Sequence, residues 1–388
     1  MAWTERYVRA DADGSGDGTT DTNSGVNGAW TLAQAATSAA SGHRVNVRSG
    51  TYSMTSSSVS ISGTGTTTAP IWWRGFYATP GDIDSDTTLT RPSITVTTGS
   101  WAPGAGTLTY FSHLKITKSA GSGSAVYMNN NIRGARWDNC YISNTDASSS
   151  AVAVYSDSSS TITYTRCHFD CTSSSTAVVN FTGGTSSPAI CFSECIFTGG
   201  GDGIRMNPNG AATHFIFERC CFRGTGAYGI KDSGDGGSCL YVFSCSFRTA
   251  SEAILLAATR TGGGNGQGLI ANCAFGDVVY GINNNTGTNT GLIHRCGNLF
   301  GSYSSGKENG MGDSPSVDEM DDGGTSPFTS STDLTIKSSS AGYQKGETGA
   351  WPGESYSSYG DVGAVPHQDS GSSGISNRII QATNIGTY

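Results

Sequence analysis

The chain has 388 residues, with 22 basic and 30 acidic side chains, a formal net charge of −8 and 55 glycines. It has no basic stripe, which argues against nucleic acid as a partner, and no run approaches the roughly 20 apolar residues of a membrane span. Charged residues make up only 13% of the chain, yet Val, Ile, Phe, Tyr and Trp recur in short regular bursts. These bursts supply a core and exclude a disordered chain.

The N-terminal 42 residues contain one segment with helical periodicity, AWTLAQAATSAASG at 29–42. Its apolar face and the terminating Gly42 predict a capping helix. The stretch HRVNVRSGTY that follows predicts the first strand. The opening MAWTERYVRA shows no ordinary secretory signal. We therefore expect synthesis in the cytoplasm, followed by assembly or release.

An internal repeat occupies the middle of the chain, marked by a cysteine near an aromatic residue. The steps between these cysteines are 27, 28, 25, 25, 28 and 23 residues. Apolar residues lie three before and two after most of the cysteines. Two polar residues between these stripes predict a sharp bend, and a further strand is expected about fifteen residues upstream. The repeated cysteines are Cys140, Cys167, Cys195, Cys220, Cys245, Cys273 and Cys296.

Three short strands per unit and no long helical pattern predict an all-β solenoid of about ten coils over residues 43–303. Stacked coils place like residues over like residues about 4.8 Å apart, so we expect interior ladders of cysteine and of phenylalanine. His113 lies 27 residues before Cys140 and is expected in the same ladder. We interpret the ladder as reduced core packing. Cys221 should face outward and be the most reactive thiol, followed by Cys171 and Cys239.

The periodicity fades after residue 303. We expect a closing region at 304–367 and, at 368–388, a flexible linker with an extended tail. Apolar residues of this tail lie outside the predicted solenoid and are candidates for assembly contacts, on a neighbour or on a particle shell. They are Ile375, Ile379, Ile380 and Ile385.

The order of segments along the chain resembles the right-handed parallel β-helix family of pectate-lyase-like solenoids. The matching segments are the DGSGDGTT loop, the helix WTLAQAA, the segment SGHRVNVRSGTY, the coils and the closing GDVGAVP. The resemblance covers roughly residues 7–367 and implies the right-handed fold. That family includes polysaccharide lyases, glycoside hydrolases, phage tailspikes, virion surface proteins and adhesins, so the fold does not decide the function.

The catalytic sets of the enzymes are missing from this sequence. Polygalacturonase-like members carry Asn-x-Asp, Asp-Asp and Gly-His-Gly on successive coils, and the one Asp-Asp pair here, Asp321–Asp322, lies outside the coils. No paired CxxC or histidine pair indicates a metal, and no cofactor is predicted.

The best surface constellation lies on the strands upstream of the cysteines, where Arg205 and Lys231 are 26 residues apart, about one coil. With nearby carboxylates they resemble a lyase groove, or they contact a glycan without cleaving it, or they are simply the polar exterior of a strand. The candidate glycan-contact residues are Asp202, Arg205, Lys231, Asp232, Asp235, Asn283 and Asn285.

Two functions are compatible with these features of the sequence. The favoured one is a non-catalytic structural or adhesive protein of a phage or virus particle, either a capsid-surface decoration or a spike or fibre component. Its partners would be other particle proteins, through the tail, and glycans; it would be found on a virion or an extracellular surface. The alternative is a polysaccharide lyase or glycoside hydrolase. The sequence leaves the oligomeric state open.

Overall fold

A computed structural model shows a parallel β-solenoid and very little helix. It describes residues 2–55, 59–61, 65–66, 68–85, 89–103, 108–128, 132, 134–157, 160–173, 176–182, 189–207, 213–233, 239–249, 251–257, 268–285, 293–311, 316–330, 334–343, 345 and 362–363. No helix among these residues is long and apolar enough to cross a membrane.

The first sheet holds the strand that precedes each bend, and all its pairings are parallel. Its twelve strands are β1 Thr4–Val8, β2 His43–Arg48, β5 Ile71–Phe76, β8 Leu108–Ser112, β11 Gly134–Asp138, β14 Ile162–Thr165, β17 Ala189–Ser193, β20 His214–Glu218, β23 Cys239–Phe243, β26 Gly268–Ala271, β28 Ile293–Cys296 and β30 Ser316–Val317.

The second sheet holds the strand that follows each bend. Its strands are β3 Thr51–Met54, β6 Ser93–Val96, β9 Lys115–Lys118, β12 Tyr141–Asn144, β15 His168–Cys171, β18 Ile196–Gly199, β21 Cys221–Thr225, β24 Ser246–Thr249, the first parts of β27 Ala274–Asn284 and β29 Leu299–Asn309, and β31 Met320–Asp321.

The third sheet holds the strands that the sequence placed upstream of each cysteine. Eight turns, from β2 to β25, use three separate strands each; in the next two turns the second and third strands run together in β27 and β29. The third-sheet strands are β4 Val59–Ile61, β7 Trp101–Pro103, β10 Ser124–Met128, β13 Val152–Ser156, β16 Ala177–Phe181, β19 Asp202–Met206, β22 Tyr228–Asp232, β25 Ile254–Leu256 and the second parts of β27 and β29.

From the third turn onward, the predicted bend between the first and second sheets is a single left-handed residue, from His113 to Asp318. Its φ is 50° at Asn139, 53° at Arg166 and 57° at Glu194. L-residues pay about 1–2 kcal/mol for this conformation. The bend is stabilised by bonds to both neighbouring turns. The Arg166 amide donates to Ser193 O of the next turn at 2.8 Å, and the Arg166 side chain pairs with Asp138 of the preceding turn at 2.7 Å.

The interior contains the predicted ladders. The six cysteines from Cys140 to Cys273 are at most 1% exposed. Beside them the phenylalanine rings stack nearly parallel, with ring centroids 4.6 Å apart for Phe197–Phe222 and 4.7 Å for Phe222–Phe247. Stacking of like side chains follows from the in-register pairing of parallel strands.

Two ladder assignments were wrong, one at each end. His113 is the left-handed bend residue (φ 57°), so the next residue, Leu114, fills the ladder position and is fully buried. Cys296 is exposed on the outside of the first sheet. Gly297 forms that bend, so Asn298 takes the interior position and its side chain accepts from the Cys273 amide at 3.0 Å. In the sequence, Phe300 follows Cys296 by four residues instead of two, which fits this shift of register.

The N-terminal end is closed by a helix that is shorter than predicted, α1 Leu32–Ser38. Thr31 and Gln34 form a capping box at its start, and the helix ends at Ser38, before Gly42. A strand that the sequence did not predict, β1, precedes the helix and pairs with β2. The second helix is the single turn α2 Asp82–Ser85.

Near the C-terminal end, residues from the closing region pack on the outer face of the second sheet. Phe328, Leu334, Ile336 and Val362 are buried there against Leu299 and Ala274. Cys221 does face outward from its strand, as predicted, but it packs against this cluster, and burial raises its pKa to about 12. That pKa opposes the expected reactivity. Cys171 and Cys239 are also buried rather than accessible.

Candidate functional site

The outward side chains of the third sheet form one continuous column, which we call the third-sheet column. The residues immediately before and after each member in β10, β13, β16 and β19 are buried. Successive members are register partners in neighbouring turns. The column consists of Tyr127, Tyr155, Asn180, Arg205, Lys231, Leu255, Asn283 and Asn309.

Arg205 and Lys231 are direct partners in the parallel ladder, so the predicted juxtaposition on one face is confirmed. The Arg205 guanidinium pairs with Asp202 at 2.7 Å. The Lys231 ammonium lies 5.0 Å from the centre of the Tyr228 ring, within the range of a cation–π contact. The two cationic residues therefore lie on adjacent strands, whose backbones are about 4.8 Å apart, and each side chain is held by a different kind of neighbour.

The two aspartates predicted beside these cations do not lie on the outer face. Asp202 is 2% exposed and is engaged by Arg205. Asp232 is fully buried, because it follows Lys231 in the strand and alternation turns it inward, beside Met206 of the preceding turn. Neither carboxylate is presented to a ligand in the way the sequence suggested.

The two predicted glycan-contact asparagines, Asn283 and Asn285, differ in exposure. Asn283 is buried within the column: its amide donates to Glu252 at 3.1 Å, and its oxygen accepts from Asn309 at 3.0 Å. Asn285 is exposed, just beyond the end of β27. Asp235 lies outside the described residues. The structure thus brings Arg205, Lys231 and Asn283 into one column and leaves Asn285 at its margin.

The earlier turns of the column carry an aromatic pair. The Tyr127 and Tyr155 rings are 5.8 Å apart. The Tyr127 hydroxyl donates to Asp157 at 2.8 Å, and the Tyr155 hydroxyl accepts from Thr182 at 2.6 Å. Burial, then the hydrogen bond to Asp157, raises the pKa of Tyr127 to about 12. Fixed aromatic faces followed by amide and cationic groups are suited to binding an extended polar ligand.

No protein-family model matches this chain, and no curated protein matches its sequence significantly. Among solved structures, a pectate lyase, Pel9A, superposes with a TM-score of 0.52 at 12% identity, covering 94% of this chain and 96% of that one. A pectin methylesterase from Aspergillus niger gives 0.32 at 14% identity, with 88% and 93% covered. Geobacillus virus E2 ORF18 gives 0.29 at 14% identity, with 72% and 52% covered.

The chain has the pectate-lyase-like, right-handed parallel β-helix fold. At 12% identity the likeness to Pel9A concerns this fold and carries no activity with it.

The sequence analysis did not identify two residues that contact the third-sheet column, Tyr228 and Glu252. Tyr228 starts β22 as the register partner of Asp202, and Glu252 lies one turn further on, in a connection between strands. Burial, together with the charges of Glu252 and Asp202, raises the pKa of Tyr228. The signal available for Tyr228 was its position 26 residues after Asp202; no periodic signal marked Glu252.

A second polar network, on the outer face of the second sheet, was also missed. Thr198 connects His168 Nε2 at 2.9 Å with Asp170 at 3.0 Å, and the Tyr141 hydroxyl donates to the same carboxylate at 3.2 Å. These groups hydrogen-bond one another. Across the described residues, no group of three or more His, Cys, Asp or Glu side chains is arranged to hold a metal ion.

Proposed function

We propose that this β-helix is a non-catalytic structural and adhesive protein of a phage or virus particle, a capsid-surface decoration or a spike or fibre component, and that its third-sheet column contacts glycans. The observation that carries the proposal is the part of this column from Tyr127 to Lys231, which runs in register along the solenoid and presents aromatic, amide and cationic groups in turn. The Tyr127, Tyr155 and Arg205 side chains are held by bonds within the protein, so little conformational entropy is lost when a ligand binds.

Glycan contact is tested with the double variant Arg205→Ala/Lys231→Ala. Binding to a panel of immobilised acidic and neutral polysaccharides should fall by roughly tenfold or more, because charge-assisted hydrogen bonds are lost. The matched control is Lys115→Ala/Arg248→Ala, which removes two cations from the second sheet. An equal loss in both variants, or no retention of the parent protein on any polysaccharide, would contradict the proposal.

The particle contact is proposed to use the C-terminal tail, whose isoleucines at 375, 379, 380 and 385 lie outside the described residues. Deletion of residues 368–388 should prevent incorporation into particles, measured as the amount of this chain in purified particles. The glycan-contact double variant serves as the control, because its tail is intact. Normal incorporation of the truncated chain would remove the tail from the proposal.

A second function, polysaccharide lyase or hydrolase, is favoured by one feature of the same column. Lys231 lies in register with Arg205 on one face, and its ammonium contacts the Tyr228 ring. The charges of Asp202 and Glu252 help to raise the pKa of the Tyr228 hydroxyl. A base beside cations that bind carboxylates is what uronate elimination requires. An ultraviolet-absorbing product formed from a polyuronate, and lost in Lys231→Ala, would favour this function over the adhesive one.

A further inference from the structure

The outer face of the first sheet carries an apolar patch in its later turns. Cys191, Ile216, Tyr241 and Leu269 are consecutive register partners on β17, β20, β23 and β26, and all are only half-buried. Phe243 lies beside Tyr241 in the next outward position, with ring centroids 6.4 Å apart. We call these five residues the apolar patch.

The same outward column is different in the earlier turns. There it holds Trp72, Tyr110, Arg136 and Thr163, and Arg44 and Arg74 both lie 5.3 Å from the Trp72 ring. Outward positions of an exposed sheet are ordinarily polar, as Arg136 and Thr163 illustrate, and none of the four early positions carries an aliphatic side chain. The change to Ile, Tyr, Leu and Phe is therefore confined to four neighbouring strands, which indicates a local contact.

The size of the patch limits what covers it. Four strands span about 14 Å, and two outward positions on one strand are about 7 Å apart, so the patch measures on the order of 100 Å². A stable interface between two copies needs about 800 Å² on each partner. The patch is thus much smaller than the surface that a second copy of the chain would have to cover, whereas its area matches that of a single peptide segment.

The described chain ends next to this patch. The amide of Gly363 donates to Asn272 O at 2.9 Å, and Asn272 is the bend residue that directly follows β26. Leu269 lies three residues before Asn272, about 10 Å along the strand, and Phe243 is the register partner of Ala271. Eleven residues separate Gly363 from Ile375. An extended chain of that length spans up to about 40 Å, more than enough to reach every member of the patch.

We propose that, in the free protein, residues 364–388 bind the apolar patch of their own chain, with Ile375, Ile379, Ile380 and Ile385 as the apolar contacts. The attachment at Gly363 makes this binding intramolecular and gives the segment a high effective concentration at the patch. The proposal concerns the free protein and does not depend on glycan binding or on particle assembly.

The first test uses the full chain with a benzoylphenylalanine photoprobe at Ile379. Irradiation should give crosslinks within one chain to the patch, at Ile216, Tyr241 or Leu269, identified by peptide mass spectrometry. A probe at Arg205, on the third sheet, is the control and should not reach the patch. Crosslinks from Ile379 to any other surface, to a second chain, or to none would overturn the proposal.

The second test measures alkylation of Cys191 in the full chain, with the exposed Cys296 as the reference thiol in the same digest. Ile379→Asp/Ile380→Asp should uncover the patch and raise the alkylation rate of Cys191 about fivefold, because access limits a half-buried thiol. Gln381→Asp/Thr383→Asp adds the same charge without removing isoleucine and should leave the rate unchanged. Equal Cys191 rates in the parent and both variants would overturn the proposal.

Discussion

At the scale of single residues, the last turns replace apolar interior side chains with polar ones. Arg295 takes the inward position that Ile270 holds one turn earlier and is only 4% exposed. It pairs with Glu308, while Asn298 donates to Ile270 O at 2.9 Å and to Glu319 at 3.2 Å. A buried guanidinium is tolerated only when it is paired, so these residues form a polar end to the core.

This polar end makes stability depend on pH through Glu319. Burial raises the pKa of its carboxyl above the ordinary value of 4.5. Between the ordinary and the raised value the folded chain binds more protons than the unfolded chain, so stability falls as pH rises through that window. Glu319→Gln should therefore raise the melting temperature at pH 7 by roughly 1–2 °C and flatten this fall, measured by thermal denaturation between pH 4 and 8.

The matched change Glu308→Gln should act in the opposite direction. It removes the carboxylate that pairs with Arg295 and leaves a buried guanidinium without that partner. A loss of roughly 3 kcal/mol is expected in urea unfolding at pH 7. If both glutamine variants shift stability in the same direction, the division of roles between Glu308 and Glu319 is wrong.

At the scale of elements, the short helix α1 closes the N-terminal end of the core. Leu32, Ala35 and Ala36 are buried on it, but seven residues are too few for a helix to be stable on its own. Its stability depends on packing and on the capping box, in which Thr31 Oγ1 accepts from the Gln34 amide at 3.2 Å and the Thr31 amide donates to Gln34 Oε1 at 2.8 Å.

Thr31→Ala should destabilise the protein by about 1 kcal/mol. The Gln34 backbone amide loses its acceptor, and the Gln34 side chain loses the hydroxyl that helps to orient it toward the Thr31 amide. The measurement is the urea midpoint, together with hydrogen exchange of the α1 amides. Thr37→Ala makes the same chemical change at an exposed position inside the helix and should be close to neutral. Equal effects at both positions would show that the cap does not stabilise the end of the solenoid.

At the scale of the whole molecule, each turn contacts its neighbours through the same register. Ile196 pairs with Cys221, and Phe197 with Phe222, so the 25 residues 196–220 constitute one complete turn. In a repeat protein of this kind, stability is close to a sum over turns and their interfaces. A turn is therefore removable as a unit, provided that the register is kept.

Deletion of residues 196–220 should leave a folded solenoid that is shorter by about 4.8 Å, measured by small-angle scattering and circular dichroism. Removing only 196–207 should prevent folding, because strands of different sheets would then be aligned and inward residues would turn outward. A folded half-turn deletion, or an unfolded whole-turn deletion, would contradict the additive view of the turns.

Much of this architecture is encoded in local pattern. The recurrence of cysteine, the phenylalanine two residues later and the polar pair at each bend predicted the strands, the bends and the ladders, because parallel in-register turns repeat the same chemical environment. The same rule identified Arg205 and Lys231 as neighbours. It failed where register shifted without a change of composition, as at Cys296 and Asn298.

By itself, the sequence determined the solenoid, its stacked interior and the pairing of residues one turn apart, since each of these follows from periodicity along the chain. Only the tertiary structure decided which polar residues face solvent. Asp202 and Asp232 are buried while Arg205 and Lys231 are not, and Glu252 joins their face from a connection between strands. Such contacts depend on the curvature of the turns and on the irregular segments between them, neither of which leaves a periodic signal.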